Sequence, residues 1–99
     1  MIRHIVAWNF KPELSQEERL AAGQKVKDEL EALKGVIPGI IELKVYLNLL
    51  ASSNRDVVLD SLYESEAALE NYQVHPEHER VATFVRGVMV DRACVDYCE

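Results

Sequence analysis

Two hydrophobic periodicities follow each other along this chain, and their order is the strongest constraint on its fold. Residues 2–10 alternate between two faces at every second position, which is the period of a β-strand, and Pro12 interrupts the pattern. Ser15 then begins a helical pattern, because its hydroxyl can cap a helix and Glu18 completes a capping box. Gly35 stands where a glycine is expected to end that helix. The apolar stripe of the helix consists of Leu20, Ala22, Val26, Leu30, Leu33 and Ile37.

The next two segments predict a β-hairpin. The "IPGI" segment at residues 37–40 turns the chain out of the helix. Residues 41–49 and residues 55–63 both alternate between two faces, and the intervening "ASSN" segment is a suitable connection. One face of the hairpin is apolar and is expected to form the core, with Ile41, Leu43, Val45, Leu47, Leu49, Val57, Leu59 and Tyr63.

A proline divides the helical region that follows the hairpin. Ser65 can cap a helix that carries Tyr72, and Pro76 cannot continue that helix without cost. Because proline suits the first turn of a helix, a new helix is expected over residues 76–86. A valine-rich strand over residues 88–97 ends the pattern.

The resulting order of elements is strand, helix, strand, strand, helix, strand. This order predicts an α+β fold, a ferredoxin-like βαββαβ sandwich with an antiparallel sheet, as a single domain over residues 1–99. Both helical regions then cover one face of the sheet. We predict a homodimer in which two sheets pack through their other faces about a two-fold axis, because exposed apolar patches mark interfaces. The apolar side chains expected on that face are Ile5, Ala7, Tyr46, Val58 and Leu62.

The charge of the chain excludes several classes of partner. A formal net charge of −6 at pH 7 argues against nucleic acid and against an anionic membrane surface, since both require a basic face. The apolar N-terminal segment is too short for a signal peptide and is interpreted as a strand, and no segment is long enough to span a membrane. Cys94 and Cys98 would lie about 13 Å apart on one strand, too far for a disulfide. Two free thiols favour the reducing cytoplasm.

The segment "YQVHPEH" at residues 72–78 carries the residues best suited to chemistry. His78 lies on one helical stripe with Val81 and Val85, so it is expected to point toward the sheet. His4 and Trp8 share the face of the first strand that meets the helices. The sequence therefore predicts an apolar cleft between helices and sheet, with a few polar groups, as is typical of small-molecule sites. The predicted lining residues are His4, Trp8, Tyr72 and His78.

Two interpretations of this cleft stay open. In the first, His78 is a general base and Tyr72 donates a hydrogen bond to an oxygen that becomes negative, as an aldol-type ring closure requires. In the second, both side chains pack or bind a ligand without catalysis. A metal site built on His75, His78 and Glu79 is a weaker hypothesis. Because zinc needs three or four convergent ligands and His75 stands beside Pro76 as a structural residue, no metal is predicted.

Four segments of the chain resemble one known family. "HIVAWNF" in the first strand, "IPGI" after the first helix, "YES" after the hairpin and "NYQVHPEHERV" beyond it are similar to the stress-responsive A/B barrel proteins, the dimeric α/β-barrel group. The resemblance covers nearly the whole chain, and its most specific part is the "Y-x-x-H-P-x-H" motif. It implies a ferredoxin-like monomer whose sheet pairs with that of a second copy to form a dimeric α/β barrel.

The resemblance also implies a range of functions. Many members have no assigned reaction, and some plant members are stress proteins. One branch consists of polyketide cyclases, which close a ring without a cofactor. Their catalytic tyrosine and histidine match Tyr72 and His78, and a first-strand histidine matches His4. These cyclases have a histidine at the start of the third strand, where this chain has Asp56 and Val57.

The expected function follows from the cleft and the resemblance together. We expect an A/B barrel domain protein that binds a small apolar or aromatic molecule between helices and sheet, without a cofactor. The alternatives are a cofactor-independent polyketide cyclase-like enzyme and a relative of the barrel-type monooxygenases.

Overall fold

The computed structural model describes residues 1–99, and it has the predicted α+β architecture. Four strands form one antiparallel sheet in the order β2-β3-β1-β4, with the helices packed against one face. The strands are β1 (Ile2–Phe10), β2 (Ile40–Tyr46), β3 (Val57–Tyr63) and β4 (Met89–Cys98). The helices are α1 (Gln16–Ala32), α2 (Glu66–Val74) and α3 (Pro76–Val88), with a short 3-10 helix over Leu33–Gly35. None of the helices has the length and hydrophobicity that crossing a membrane requires.

The first helix begins as the capping box predicts. The Glu18 backbone N–H donates to the Ser15 hydroxyl at 3.1 Å, and the Ser15 N–H donates to the Glu18 carboxylate at 2.8 Å. Val26 and Leu30 are buried against the sheet, but Leu20 is 64% exposed, so its assignment to the core stripe is wrong. Leu20 precedes Val26 by six positions, which places it about 120° away around a helix of ~3.6 residues per turn.

The chain leaves α1 differently from the predicted pattern. The α-helix ends at Ala32 and tightens into the 3-10 helix, so Gly35 is not the glycine that the turn requires. That residue is Gly39, which has a φ of +92°. A Cβ on Gly39 would come within 2.7 Å of the Cβ of Ala68, so both conformation and space favour glycine there.

A long loop replaces the predicted short hairpin connection. β2 ends at Tyr46, and the chain continues without regular strand structure until β3 begins at Val57. Within this loop the Ser53 N–H donates to the Leu50 carbonyl at 2.9 Å, which closes a turn. The Asp56 carboxylate accepts a hydrogen bond of 2.9 Å from the Phe10 N–H, which anchors the end of the loop to β1. Leu47 and Leu49 therefore do not continue the strand, although their alternation predicted it.

The two faces of β1 have different surroundings. Ile2, His4, Val6 and Trp8 are buried toward the helices, as the alternation predicts. The opposite face pairs Ile5 with Val95 of β4, and Val95 is 57% exposed. Every apolar residue predicted for this open face lies there, although Leu62 is already buried between its register partners on β1 and β2. The sheet thus presents a face that no helix covers, on which these apolar side chains lie beside the charged cluster of Arg3, Glu42 and Asp60.

Candidate functional site

A cleft of about 320 Å³ lies between the sheet and the α2–α3 region. His4 and Trp8 of β1 contribute one wall, and Tyr72 of α2 and His78 of α3 contribute another. All four residues predicted to line a pocket thus line this single cleft. The remaining wall is mainly apolar, with Val6, Leu30, Leu59, Ala82 and Val85, and Gln73, Arg86 and Arg92 complete it. That these residues bind a ligand stays a prediction.

His78 is held in a defined orientation by the backbone of α2. Its Nδ1 lies 3.1 Å from the Gln73 carbonyl oxygen. Because a carbonyl oxygen can only accept, Nδ1 donates and carries the proton of the neutral ring, which leaves the lone pair on Nε2. Burial lowers the pKa of His78, which keeps the ring neutral near pH 7. A neutral, oriented imidazole is the form that a general base requires.

Tyr72 lies directly against His78. The two ring centroids are 4.3 Å apart, and Tyr72 is only 1% exposed. Its hydroxyl is buried without a hydrogen bond of ordinary length, although the Tyr63 hydroxyl is near enough to act on its pKa. Burial raises the pKa of Tyr72 to about 12, so the hydroxyl stays protonated and able to donate at neutral pH.

A second tyrosine belongs to the same cluster, and the sequence assigned it only to the core. Tyr63 at the end of β3 is fully buried, and its ring centroid is 5.1 Å from that of Tyr72 and 6.1 Å from that of His4. Its hydroxyl also lacks a partner, and burial raises its pKa well above the usual range. Its position on the helix-facing side of β3 was the available signal, but an alternating pattern does not distinguish a buried hydroxyl from a buried hydrocarbon.

His4 is bound to the last strand. It is 3% exposed, and its Nδ1 is hydrogen-bonded to the Asp96 carboxylate, which lies opposite it in the β1–β4 register. The Cys94 sulfur lies 3.8 Å from the same nitrogen and 3.6 Å from the Asp96 carboxylate. Sequence reasoning did not identify Asp96 or Cys94 as partners of His4. The signal was their alternate spacing on a strand that the predicted fold places beside β1.

The other histidine of the "HPEH" segment has a structural role. His75 is the N-cap of α3, and its Nδ1 accepts a hydrogen bond of 3.1 Å from the Glu77 N–H. The Nδ1 of His78 instead faces the Gln73 carbonyl, and Glu79 lies beside Arg86. His75, His78 and Glu79 are not among the groups whose ligand atoms converge.

A larger cleft lies elsewhere and has a different character. Its volume is about 550 Å³, and it lies between α1 and the loop that connects β2 to β3. Its ionisable groups are already bonded to the backbone, because Arg19 and Arg55 donate to carbonyl oxygens and Asp56 accepts from the Phe10 N–H. The smaller cleft holds the buried tyrosine and both oriented histidines, and it is therefore the candidate functional site.

Comparison with known proteins identifies the family. The sequence profile of the stress responsive A/B barrel domain matches residues 2–99. The chain belongs to this family. The A/B barrel assignment and the ferredoxin-like fold inferred from the sequence are both confirmed. No curated protein matches this A/B barrel chain.

Solved structures support the A/B barrel fold. A dimeric ferredoxin-like protein of unknown function from Bacteroides fragilis is 29% identical, with a TM-score of 0.90 over 97% of this chain and 93% of that one. A hydroxynitrile lyase from Passiflora edulis is 20% identical, with a TM-score of 0.78 over 97% and 90% of the two chains. An antibiotic biosynthesis monooxygenase is 15% identical, with a TM-score of 0.78 over 100% and 98%. The last two similarities concern the fold alone.

Proposed function

We propose that this A/B barrel protein binds a small aromatic or apolar molecule that presents a hydrogen-bond-accepting oxygen to the cleft. The observation that carries this proposal is the Tyr72 hydroxyl, which is buried in the cleft wall without a partner. A buried polar group left unsatisfied costs about 1–3 kcal/mol, and buried hydroxyls are normally paired. A ligand oxygen that accepts from Tyr72 would recover that free energy.

The walls of the cleft define the class of ligand further. Trp8, Leu59 and Val85 offer apolar surface, and a volume of about 320 Å³ suits one small ring system with short substituents. Arg86 and Arg92 are the ionised residues of the lining, so they favour a neutral or anionic ligand over a cationic one.

A second candidate function is cofactor-independent proton removal beside a carbonyl, as in a polyketide cyclase. It is favoured by the 4.3 Å packing of His78 on Tyr72, which puts a neutral base beside a protonated donor. His78 Nε2 would take the proton, and the Tyr72 hydroxyl would stabilise the enolate oxygen. The cyclase branch's third-strand histidine has no counterpart, since Asp56 accepts from the Phe10 backbone and Val57 is fully buried.

The open face of the sheet supports a homodimer as the functional unit. Val95 and Tyr97 are 57% and 44% exposed there, and Ile5 and Ala7 continue the apolar surface. Similar proteins from Bacteroides fragilis and Thermobifida fusca are described as dimeric. We infer that two copies of this chain pack through these faces to form the barrel. The two free thiols, Cys94 and Cys98, support a reducing compartment such as the cytoplasm.

Ligand binding can be tested with acetophenone and its ring-hydroxylated derivatives, which combine one aromatic ring with an accepting carbonyl. Binding is followed by NMR through the ring signals of His78 and Tyr72. A Tyr72→Phe variant should weaken binding about tenfold, because it removes one hydrogen bond and no ring surface. Tyr46→Phe is the matched control, since Tyr46 is exposed outside the cleft. Equal affinity in both variants, or no change in the His78 signals on addition of any probe, would contradict the proposal.

Catalysis is tested separately from binding. Linear aromatic polyketide analogues with a terminal ketone are incubated with the wild-type chain and with His78→Gln. Ring-closed product that depends on His78 would establish the second function. Binding of the analogues without any turnover would eliminate it and leave the first.

A further inference from the structure

We propose that His4, Cys94 and Asp96 form a binding site for one Zn²⁺ ion at the edge of the sheet. The Nδ1 of His4, the Sγ of Cys94 and a carboxylate oxygen of Asp96 all lie within 4.8 Å of one another. No other group of three or more such side chains converges in this way in the chain. The site shares His4 with the cleft but uses neither Tyr72 nor His78, the residues on which the proposed ligand binding rests.

The distances between the ligand atoms of the cluster suit an ion with tetrahedral coordination. Bonds of about 2.0–2.3 Å to nitrogen, oxygen and sulfur separate tetrahedral ligand atoms by roughly 3.3–3.5 Å. The Cys94 sulfur lies 3.8 Å from the His4 nitrogen and 3.6 Å from the Asp96 carboxylate, close to this requirement. His4 and Asp96 are in hydrogen-bond contact, so the ion would replace the proton between them and their atoms would separate. Asp96 is partly exposed and its carboxylate has room to turn.

The backbone brings the three side chains together. Strand β4 is the edge of the sheet, and its antiparallel register with β1 pairs His4 with Asp96 and Val6 with Cys94. Because alternate residues of a strand share a face, Cys94 and Asp96 project from the same side as His4. Both β4 residues are exposed, so an ion has access from solvent. The bound ion would join the first strand to the last.

The chemistry of the three ligands selects the metal. One thiolate and one carboxylate neutralise a divalent ion, and a sulfur–nitrogen–oxygen set favours zinc over magnesium or calcium. Without the metal, Cys94 is a thiol, as a free cysteine is at neutral pH. Binding would release the Cys94 thiol proton to solvent, and the single ring proton of neutral His4 would move from Nδ1 to Nε2. Three protein ligands leave the fourth position for water.

The experiment uses Co²⁺ and Zn²⁺ with the full chain, prepared without a histidine tag. Co²⁺ replaces Zn²⁺ in tetrahedral sites, and its bond to a thiolate gives a sulfur-to-cobalt charge-transfer absorption band. We expect this band to appear and to saturate at a 1:1 ratio of Co²⁺ to protein, and Zn²⁺ to displace it. A Cys94→Ser variant should lose the band.

Cys98→Ser is the matched control, because Cys98 is the second free cysteine of the same strand and lies outside the cluster. This variant should keep the band at full amplitude. Asp96→Asn should weaken Co²⁺ binding at least about tenfold. Absence of a band in the wild-type chain, or equal loss of the band in Cys94→Ser and Cys98→Ser, would overturn the proposal.

Thermal unfolding gives an independent readout. An excess of Zn²⁺ about ten times the Kd should raise the Tm of the wild-type chain by about 5–10 °C. The same addition should leave the Tm of Cys94→Ser unchanged. An equal rise in both chains would mean that Zn²⁺ binds elsewhere and would overturn the assignment. Failure of acetophenone binding would not affect either result, since the metal site and the cleft share only His4, and the probe is expected to bind through Tyr72.

Discussion

At the scale of single residues, two buried hydroxyl groups lie on neighbouring aromatic rings, and one of these rings lines the cleft. Tyr63 and Tyr72 are both almost inaccessible, and neither hydroxyl has a partner. Ser61 lies close by on β3 and does have one, because its hydroxyl donates to the His4 carbonyl at 2.8 Å. The Ser61 hydroxyl therefore stabilises the fold, whereas Tyr72 lines the cleft and Tyr63 does not.

This difference predicts opposite responses to the removal of one oxygen atom. Ser61→Ala should destabilise the protein by about 1 kcal/mol, because it leaves the His4 carbonyl without its buried donor. Tyr63→Phe should leave the free energy of unfolding unchanged or raise it by up to about 1 kcal/mol, because it removes an unsatisfied buried group. Urea unfolding of the two variants beside the wild-type chain measures both. A clear loss of stability in Tyr63→Phe would show that its hydroxyl has a partner.

The second prediction at this scale concerns pH. Burial lowers the pKa of His78, and the groups that act on it are the Gln73 carbonyl, Glu79, His4 and Arg86. As the pH falls below about 6.5, the unfolded chain therefore takes up a proton on His78 before the folded chain does. This favours unfolding, so the free energy of unfolding falls as the pH falls. We expect His78→Gln to show a smaller loss of unfolding free energy between pH 7 and pH 5 than the wild-type chain. Urea unfolding at the two pH values measures this, and an NMR titration of the His78 ring that shows an unshifted or raised pKa would contradict the premise.

At the scale of secondary-structure elements, the passage from α1 into β2 depends on one glycine. Gly39 has a φ of +92° and faces Ala68 of α2 so closely that a Cβ would lie 2.7 Å from the Ala68 Cβ. We expect Gly39→Ala to destabilise the protein by about 1–3 kcal/mol, through both backbone strain and contact. Gly35→Ala is the matched control, because a Cβ added there would have no neighbour within 4 Å and the φ of Gly35 is not positive.

The Gly35→Ala control should leave the free energy of unfolding unchanged or raise it by up to about 1 kcal/mol. A double variant, Gly39→Ala with Ala68→Gly, should recover the contact part of the loss and not the strain. Equal stability of the two single alanine variants in thermal unfolding would contradict this account of the turn.

The sequence predicted elements well wherever the cause was local. Ser15 and Glu18 defined the start of α1, Pro76 defined the start of α3, and the alternation of β1 placed His4 on the correct face. Predictions failed where contacts between distant parts of the chain determined the local structure. Leu47 keeps the strand period, yet β2 stops at Tyr46 because the loop folds back and is anchored through Asp56 to β1.

The residues of the candidate site were likewise predictable only where the signal in the sequence was local. Tyr72 and His78 were found because they stand in one short motif at the junction of two helices. Asp96 and Cys94 were not found, because their contact with His4 joins positions about ninety residues apart and depends on the register of β4. The hydrophobic pattern of a mostly exposed edge strand does not specify which residue lies opposite which.

At the scale of the whole molecule, the uncovered face of the sheet predicts self-association. Val95 is 57% exposed on this face and pairs in register with Ile5. We expect Val95→Asp to weaken dimerisation at least about a hundredfold, since two unpaired carboxylates would be buried about a two-fold axis. Leu20→Asp is the control, because Leu20 is also apolar and is 64% exposed on α1.

Analytical ultracentrifugation across micromolar concentrations measures both variants. The wild-type chain and Leu20→Asp should sediment as dimers, and Val95→Asp as a folded monomer. A monomeric wild-type chain with unchanged secondary structure would contradict the homodimer and leave the apolar face unexplained.

The central position of β1 has a consequence for how this chain can change in length. One side of β1 lines the cleft and the other belongs to the uncovered face, so inserting or deleting a single residue within it would exchange the two sides. His4 would then point away from the cleft while Ile5 entered it. Length variation should therefore be absent from this strand and concentrate between β2 and β3, where the chain runs outside the sheet and added residues turn no side chain around.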